Sequence, residues 1–504
     1  MVLKNFAAMA AAFLLAVPAF AQFMDKPSEG EKMVLTLDDA LKIALSESVT
    51  VQVADMEVSR QEYARKGSYA SLFPQVNASG MYSYALKKQK VYFGSDRTDE
   101  DGGSSSGGGM AGMMASLMDP IMYYIQELYR GTGVPFVPYV APSDGETTSS
   151  SSEPMEMGRS HSVTFGVSAQ MPVINFQLWE SLRLSGDQVE LAVEQARESR
   201  LGTVSSVKQA YFAILLAKEA YKVYNSVYEN AVENCRLTEM RYHAQKASEL
   251  DLTRARSNVA AAIPNLYNAE NSVDLALLQL KAVMGLDLDR EIDVAGTLED
   301  YAGQMYYDIE QAEGASLDGN TQLRQLARQA EMLSRQIRMQ QYASLPSLAL
   351  TFSYSYLTQS DIFNLSQWRW FPSSTVGLSL SIPIFSGGQR YHAVKQATLQ
   401  ADELELQRVN AERQLRIGIR QSLGTMDTAR RSYDASREAL STAEKAYDIA
   451  VKSYQLGKST LTDLNNTELV LTQSRLAVSQ AIYNFVLAKA GLEQTLGYDF
   501  NEEK

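Results

Sequence analysis

The sequence has little of the residues that build metal centres and disulfide frameworks. It contains one Cys and three His in 504 residues, which leaves almost nothing for a structural metal site or for disulfide bonds. His161, His243 and His392 lie in different parts of the chain, with no Cys or His neighbour at ligand spacing. No serine has an evident general base, and the triple glycine at 107–109 lacks the Lys-Ser/Thr of a phosphate loop. We therefore expect no metal, no cofactor and no enzymatic activity.

Positive charge is also in deficit. Lys and Arg number 46 against 59 Asp and Glu, which gives a formal net charge of −13 and a pI near 5.0. An acidic chain is a poor match for nucleic acid, so we expect no nucleic-acid partner. Charged residues make up 21% of the sequence, which is too many for a polytopic helical membrane protein.

Long apolar runs are absent except at the start of the chain. Residues 1–21 combine Lys4, an apolar stretch over 7–17 and a small-x-small sequence over 19–21. This combination is typical of a secretory signal peptide, and the apolar stretch is too short to cross about 30 Å of hydrocarbon. We therefore expect an exported protein whose mature chain begins at Gln22.

The remaining sequence repeats itself. Short motifs in its first half recur about 212 residues later in its second half. Because the offset stays nearly the same from one motif to the next, it predicts a tandem duplication. We expect a first repeat over 22–285, a connecting segment over 286–319, a second repeat over 320–497 and a tail over 498–504. In each repeat a helix, a strand, a connection and a second strand precede two very long helices. The matches that share an offset of 212 residues include Arg241-Tyr242 with Ser453-Tyr454, Asp251-Leu252 with Asp463-Leu464, and Met284-Gly285 with Leu496-Gly497.

Four segments alternate apolar and polar residues and carry no charge on either face. They cover residues 75–86, 162–171, 347–356 and 375–382. Their length and pattern match the roughly 9–11 tilted residues with which a strand crosses an outer membrane in a β-barrel. A soluble sheet is the alternative, but its wet face normally carries Lys or Glu. The pattern therefore favours barrel strands around a lumen lined by small polar residues.

Long helical patterns follow the strands. The segments 176–240 and 386–453 look helical nearly throughout, and each would be on the order of 100 Å long. Shorter amphipathic helices are expected at about 36–72 and 320–344, where a proline ends each one. The last helix of each repeat has a seven-residue apolar spacing, which indicates coiled-coil packing, and we expect Pro264 to bend one of these helices rather than end it. The two rows are Leu252, Val259, Leu266, Val273 and Leu280, and Leu464, Leu471, Val478, Phe485 and Leu492.

Four strands per chain are too few to close a barrel, since about eight are the practical minimum. Two, three or four chains must therefore combine, with the long helices docked on the same assembly. Such an assembly would connect the outside to the periplasm, which favours a pore over an enzyme. A periplasmic coiled-coil scaffold without a pore is the alternative, and it explains the heptads but not the strands.

With these parts in order, the mature sequence resembles the TolC-like outer-membrane efflux family over essentially its whole length. The resemblance rests on Phe73-Pro74, Leu345-Pro346, Met171-Pro172, Ile382-Pro383 and the hairpin over 454–464. It implies an α+β membrane protein with a tandem-duplicated TolC-like fold. Each chain would supply four strands to a twelve-stranded barrel in a homotrimer, and long coiled-coil helices would form a periplasmic tunnel.

The same resemblance implies a function, a location and partners. The protein would lie in the outer membrane, extend into the periplasm and contact a periplasmic adaptor (membrane fusion protein) and an inner-membrane pump. We expect a passive exit duct of a tripartite efflux system that exports drugs or small metabolites. A duct for type I protein secretion is the alternative, because the partner pump decides between the two.

The hairpins around 242–252 and 453–464 would be the periplasmic tips, where channels of this family close. Asp251 and Asp463 match the tip carboxylates of the family, and Gly457 matches its hairpin glycine, although Gln245 stands at the corresponding place in the first hairpin. Helix N-capping is an alternative role for both aspartates, and the two roles can coexist. The candidate aperture residues are Asp251, Asp463, Gly457, Tyr454 and Asn466, the last of which replaces a second Asp.

One segment has no counterpart in the second repeat. Residues 94–160 are rich in Gly and Ser and lie between two predicted barrel strands, so we expect them to face the cell exterior. Five methionines in this insertion fall near helical spacing. They could form a soft-metal site or an amphipathic patch in a surface lid. The five residues are Met110, Met113, Met114, Met118 and Met122.

Overall fold

The computed structural model describes residues 33–91, 155–306 and 316–497. The signal sequence, most of the insertion with its five methionines, and the tail lie outside the described residues. The chain divides into two compact units. Of the described residues, the helical unit comprises 33–68, 177–306, 316–343 and 387–497, and the strand unit comprises 69–91, 155–176 and 344–386.

Seven α-helices and eight strands account for most of the described residues. In chain order they are β1 (Met33–Leu35), α1 (Leu37–Glu47), α2 (Val49–Ala70), β2 (Gln75–Tyr84), β3 (Gln89–Val91), β4 (Met155–Met157), β5 (His161–Ile174), α3 (Phe176–His243), α4 (Glu249–Met284), β6 (Ile292–Val294), a 3-10 helix (Leu298–Tyr306), α5 (Thr321–Tyr342), β7 (Ser347–Ser360), a short 3-10 turn (Leu365–Gln367), β8 (Phe371–Ser381), α6 (Gln389–Gln455) and α7 (Leu461–Leu496).

The same order of elements occurs twice along the chain. A 22-residue helix, α2 or α5, leads into two strands of one sheet and then into two long helices. Each long-helix pair ends at a left-handed glycine, Gly285 or Gly497. A Cβ on Gly285 would meet the carbonyl of Glu47, and a Cβ on Gly497 would meet the carbonyl of Gly319, so both positions require glycine.

The helix expected over 36–72 is two helices. Ser48 has φ −60° and ψ 125°, which is extended backbone, and it separates α1 from α2. The Gln52 side chain donates to the carbonyls of Ser46 and Glu47 at the break, so carbonyls that a continuous helix would use have another partner. The sequence pattern missed the break because Ser and Val also occur inside helices.

The strand unit contains a four-stranded antiparallel sheet with the order β2-β5-β7-β8. The strands predicted from alternation are present, and β5 and β7 are each 14 residues long, several residues longer than expected. The central pairing, β5 with β7, joins the first half of the sequence to the second. A separate short pair, β3 with β4, includes the last part of the expected insertion.

The pairing register aligns similar residues across all four strands. Because successive residues of a strand point to opposite sides, one face of the sheet is largely apolar and the other carries small polar side chains. The four strands contain no Asp, Glu, Lys or Arg. One apolar row consists of Val76, Ala169, Phe352 and Val376, and the adjacent polar row consists of Asn77, Ser168, Ser353 and Thr375.

The helical unit has its main core where α3, α6 and α7 pack with α1 and the parallel strands β1 and β6. Tyr211 is 1% exposed there, and its hydroxyl donates to the carbonyl of Ala295 at 2.6 Å. Burial raises the pKa of Tyr211 to about 12, so the phenol stays neutral at physiological pH. This core joins the middle of α3 and of α6 to the C-terminal part of α7.

The heptad rows are buried differently in the two halves. The whole row from Leu464 to Leu492 is buried in α7, whereas in α4 only the first and last members, Leu252 and Leu280, are buried. In α4 three alanines at the same seven-residue spacing, Ala255, Ala262 and Ala269, are buried in place of the middle of the row. The helix α4 continues through Pro264. Among the described residues, no helix is both long and apolar enough to span a lipid bilayer.

Candidate functional site

Each pair of long helices is joined by a short hairpin loop. In the first hairpin α3 ends at His243 and α4 begins at Glu249, and in the second α6 ends at Gln455 and α7 begins at Leu461. Both α3 and α6 end with the backbone bonds of a Schellman motif. The bonds are Lys246 N to Arg241 O and Gln245 N to Tyr242 O in the first hairpin, and Lys458 N to Ser453 O and Gly457 N to Tyr454 O in the second.

The turn residue of this motif differs between the hairpins. Gly457 has φ +73°, and Gln245, at the matching place, has φ +59°. Among the described residues Gln245 is the one non-glycine residue with positive φ. A side chain in this region is strained by contact with its own backbone, so the first hairpin stores strain that the second avoids.

Asp251 and Asp463 each complete a capping box at the start of α4 and α7. The carboxylate of Asp463 accepts from the backbone N–H of Thr460 at 3.1 Å and from its hydroxyl at 2.7 Å. Asp251 makes the same two bonds with Ser248, at 3.2 and 2.7 Å. These bonds hold the pKa of Asp463 below its usual value.

The capping role therefore differs in detail from the one expected. The sequence pattern allows the two aspartates to be N-caps, but Ser248 and Thr460 are the N-caps and the aspartates occupy the third helical position. A hydroxyl three residues before an acid is the signature of a capping box, so the pattern was readable in both hairpins.

Three side chains, Thr238, Arg241 and Tyr454, link the end of α3 to the end of α6, and we call this set the latch. Thr238 donates to the carbonyl of Asn234 at 2.7 Å, which leaves its oxygen to accept the Tyr454 hydroxyl at 2.6 Å. Thr238 is 0% exposed and Tyr454 is 5% exposed, so this bond between the hairpins lies out of contact with solvent.

Arg241 contributes the ionic part of the latch. Its guanidinium donates to the carbonyl of Tyr454 at 2.6 Å and to that of Gln455 at 2.7 Å. These are among the last carbonyls of α6, where the negative end of the helix dipole lies, and that of Tyr454 also accepts from the Gly457 N–H. The guanidinium also lies 4.5 Å from the centre of the Tyr454 ring, a cation–π arrangement.

A small apolar cluster lies behind the latch. Ala255, Ala450, Leu461 and Leu464 are all buried together with Tyr454. They come from α4, α6 and α7, so both hairpins contribute to one cluster. The cluster and the latch together determine how the two hairpins are held against each other.

The structure places the five candidate residues unequally. Tyr454 is in the latch and Gly457 is in the turn of the second hairpin. Asp251 and Asp463 occupy the third helical position of their capping boxes, and Asn466 is exposed on α7. No hydrogen bond or ion pair joins Asp251 to Asp463 among the described residues. Thr238 and Arg241 were missed, although Arg241-Tyr242 stood out as a repeated motif.

The comparisons with known proteins address this architecture directly. The family model described as outer membrane efflux protein matches residues 126–286 and 314–498, which is well over half of the chain. The chain belongs to the outer membrane efflux protein family. It is thus a protein of the outer membrane that extends into the periplasm, and the predicted TolC-like resemblance is confirmed.

Individual relatives agree with the family. The chain is 23% identical to outer membrane protein TolC of Escherichia coli over 64% of its own length and 67% of the relative. It is also 23% identical to the alkaline protease secretion protein AprF of Pseudomonas aeruginosa, over 65% of this chain and 68% of that one.

Solved structures of outer-membrane channels share the fold. The CmeC channel of Campylobacter jejuni superposes with a TM-score of 0.65 at 17% identity, covering 94% of this chain and 90% of the other. VceC of Vibrio cholerae gives 0.62 at 15% identity, covering 92% and 96%. At these identities the likeness is one of fold, and the proteins that share it are channels rather than enzymes.

Proposed function

We propose that this protein is the passive outer-membrane exit duct of a tripartite efflux system that exports drugs or small metabolites. The proposal rests on the unpaired edges of the four-stranded sheet. Among the described residues, the outer strands β2 and β8 each pair on one side only. An unpaired edge is unstable in lipid, and a charge-free four-stranded sheet is too small to close on itself.

The edges would be satisfied by other copies of the same chain. In this proposal β2 of one chain pairs with β8 of the next, and three chains give a closed twelve-stranded barrel. The choice of three chains follows the likeness to the TolC-like family. The twofold order of elements and the shared 212-residue offset of the hairpins support origin by tandem duplication.

The long helices would form the periplasmic tunnel. The 68 residues of α3 and the 67 residues of α6 each correspond to about 100 Å of helix. In the trimer the hairpins would form the closed tip, and three copies each of Asp251 and Asp463 would surround the aperture. The latch would then hold the closed state. Gly457 would lie in the turn of the second hairpin, and Asn466 would lie on the surface near the aperture.

The other components of the proposed efflux system are separate proteins. We propose that a periplasmic adaptor contacts the tunnel and that an inner-membrane pump delivers the substrate. A duct supplies a path and no energy, so no catalytic residue is assigned. This arrangement agrees with the capped and latched hairpins, which can open without any chemical step.

A second function is favoured by one specific relative. AprF is named as an alkaline protease secretion protein, so a duct for type I protein secretion remains the second candidate. The same duct geometry serves either use, since a passive tunnel does not select its own pump.

A deletion strain distinguishes the two uses. If the duct serves small molecules, loss of the gene should raise intracellular accumulation of a cationic fluorescent dye and leave the set of secreted proteins unchanged. Re-expression of the intact chain should restore dye efflux. Loss of one secreted protein with normal dye efflux would favour type I secretion instead, and normal results in both assays would contradict both.

A further inference from the structure

A cavity lies between the two hairpins, next to the latch, and its lining includes Asn234 and Leu461. Its volume is about 300 Å³, and it is bounded by α3, α4 and α7. Its walls combine two kinds of surface, apolar groups and side-chain amides. The apolar wall includes Val227, Ala231, Ala262, Leu461 and Leu469, and the amides are those of Asn234, Asn258, Asn265 and Asn465.

One carboxylate in this lining is buried. Glu468 on α7 is 9% exposed, and its Oε1 has no hydrogen-bond partner among the described residues. Asn230 and Tyr447 hydrogen-bond to the same carboxyl group, but burial outweighs them and raises the pKa of Glu468. A buried carboxylate oxygen without a partner is costly in free energy, so Glu468 is poised to accept a donor from the cavity.

Among the described residues, no cation forms an ion pair with the Glu468 carboxylate. On α6 the facing titratable group is Tyr447, whose pKa is raised by burial. Arg475, seven residues further along α7, is 3.6 Å from Glu444 of α6 and is paired with it. The lining contributed by α4 consists of alanine and asparagine, and α3 contributes Tyr224 as its titratable residue.

We propose that this cavity is a binding site for a small organic ammonium ion with an apolar body. The ammonium group would donate to Glu468 Oε1 and to amide oxygens of the asparagines, in the charge-assisted manner of buried carboxylates. The alanine and leucine surface would cover the hydrocarbon part of the ligand. A volume of about 300 Å³ is at the lower end of the range for small-molecule sites, which restricts the ligand to a small amine.

Calorimetric titration of the detergent-purified full chain with cyclohexylammonium chloride tests the site, with cyclohexanol as the uncharged probe of the same shape. Saturable binding near about 1 mM is expected for so small a ligand. Glu468→Gln should weaken it at least about tenfold, the equivalent of one charge-assisted bond. Glu239→Gln removes a carboxylate from the same hairpins outside the cavity and should leave binding within about twofold of the wild type.

A second variant tests the shape of the site independently of its charge. Ala262→Leu fills part of the cavity and keeps Glu468, so it should also abolish binding. Affinity should rise with pH through the raised pKa of Glu468, because only the ionised carboxylate attracts the ammonium ion. Equal binding by Glu468→Gln, equal binding of cyclohexanol, or no saturable binding up to about 10 mM would each overturn the proposal.

Discussion

At the scale of single residues, the two hairpins have different residues at the matching left-handed position, a glutamine in the first and a glycine in the second. A Cβ on Gly457 would meet no atom within 4 Å, so an alanine there would be opposed only by its own backbone. Gln245 already bears that strain at φ +59°. Substitutions at these two matched positions therefore measure the effect of backbone strain on stability without a change in packing.

Exchanging the two residues should change stability in opposite directions. Gln245→Gly is expected to raise the free energy of unfolding by up to about 1 kcal/mol, and Gly457→Ala to lower it by about 1 kcal/mol. Thermal unfolding followed by circular dichroism, with amide exchange of the hairpins as the local readout, measures both. Changes of the same sign in the two variants would show that backbone strain is not the cause.

The carboxylate of Asp463 has two possible roles, and a pair of variants separates them. Asp463→Asn removes the charge and keeps an acceptor for the Thr460 N–H, whereas Thr460→Ala removes the cap and keeps the charge. If Asp463 surrounds the aperture, Asp463→Asn should weaken cation selectivity and block by a trivalent cation, because ring carboxylates concentrate cations. Single-channel recording measures both properties.

The control variant should behave differently in the same recordings. Thr460→Ala should keep selectivity and block while losing about 1 kcal/mol of helix stability. Normal selectivity and block in Asp463→Asn would remove this residue from the aperture and leave it as a helix cap alone.

Residue-level features were readable from the sequence only where they are local. Asp463 was marked by its spacing in the repeat, and Gly457 by the family resemblance of its hairpin. Arg241 and Thr238 were not found, because their partners lie more than 200 positions away on α6 and no local pattern records such a contact.

At the scale of elements, the latch is the contact that holds the end of α3 against the end of α6. Tyr454→Phe removes the hydroxyl and keeps the ring beside Arg241. The loss of one buried hydrogen bond is expected to cost about 1 kcal/mol, which is roughly a fivefold increase in opening. Hydrogen exchange of amides near 240–250 and 453–463 measures this opening.

A double-mutant cycle with Thr238→Val tests whether the two hydroxyls act as a pair. Both single variants lose the same bond, so the double variant should cost clearly less than the sum of the two. Fully additive costs would mean that Thr238 and Tyr454 stabilise the hairpins separately and that the latch does not couple them.

The elements themselves were largely predictable. Alternation identified all four strands of the sheet because each strand separates an apolar face from a polar one over most of its length. The division between α1 and α2 at Ser48 was not found, since the residues on both sides of Ser48 suit a helix. The unequal burial of the heptad rows in α4 and α7 was also not found, because the two rows have similar sequences and different neighbours.

At the scale of the whole molecule, the number of chains is the property that one chain's sequence could least define. Four strands exclude a barrel made of one chain, but they allow two, three or four chains. The free edges of β2 and β8 are equally available to each assembly. The trimer therefore rests on family likeness, and its mass in detergent is a direct check.

The conductance of the detergent-purified protein in a planar lipid bilayer tests the duct most directly. The wild type should insert and give small, uniform current steps because the latch keeps the tip nearly closed. Arg241→Ala, which removes the guanidinium bonds to the carbonyls of Tyr454 and Gln455, should give clearly larger steps. A protein that stays soluble as a monomer without detergent, or that conducts in neither form, would contradict the account of this chain as an outer-membrane duct.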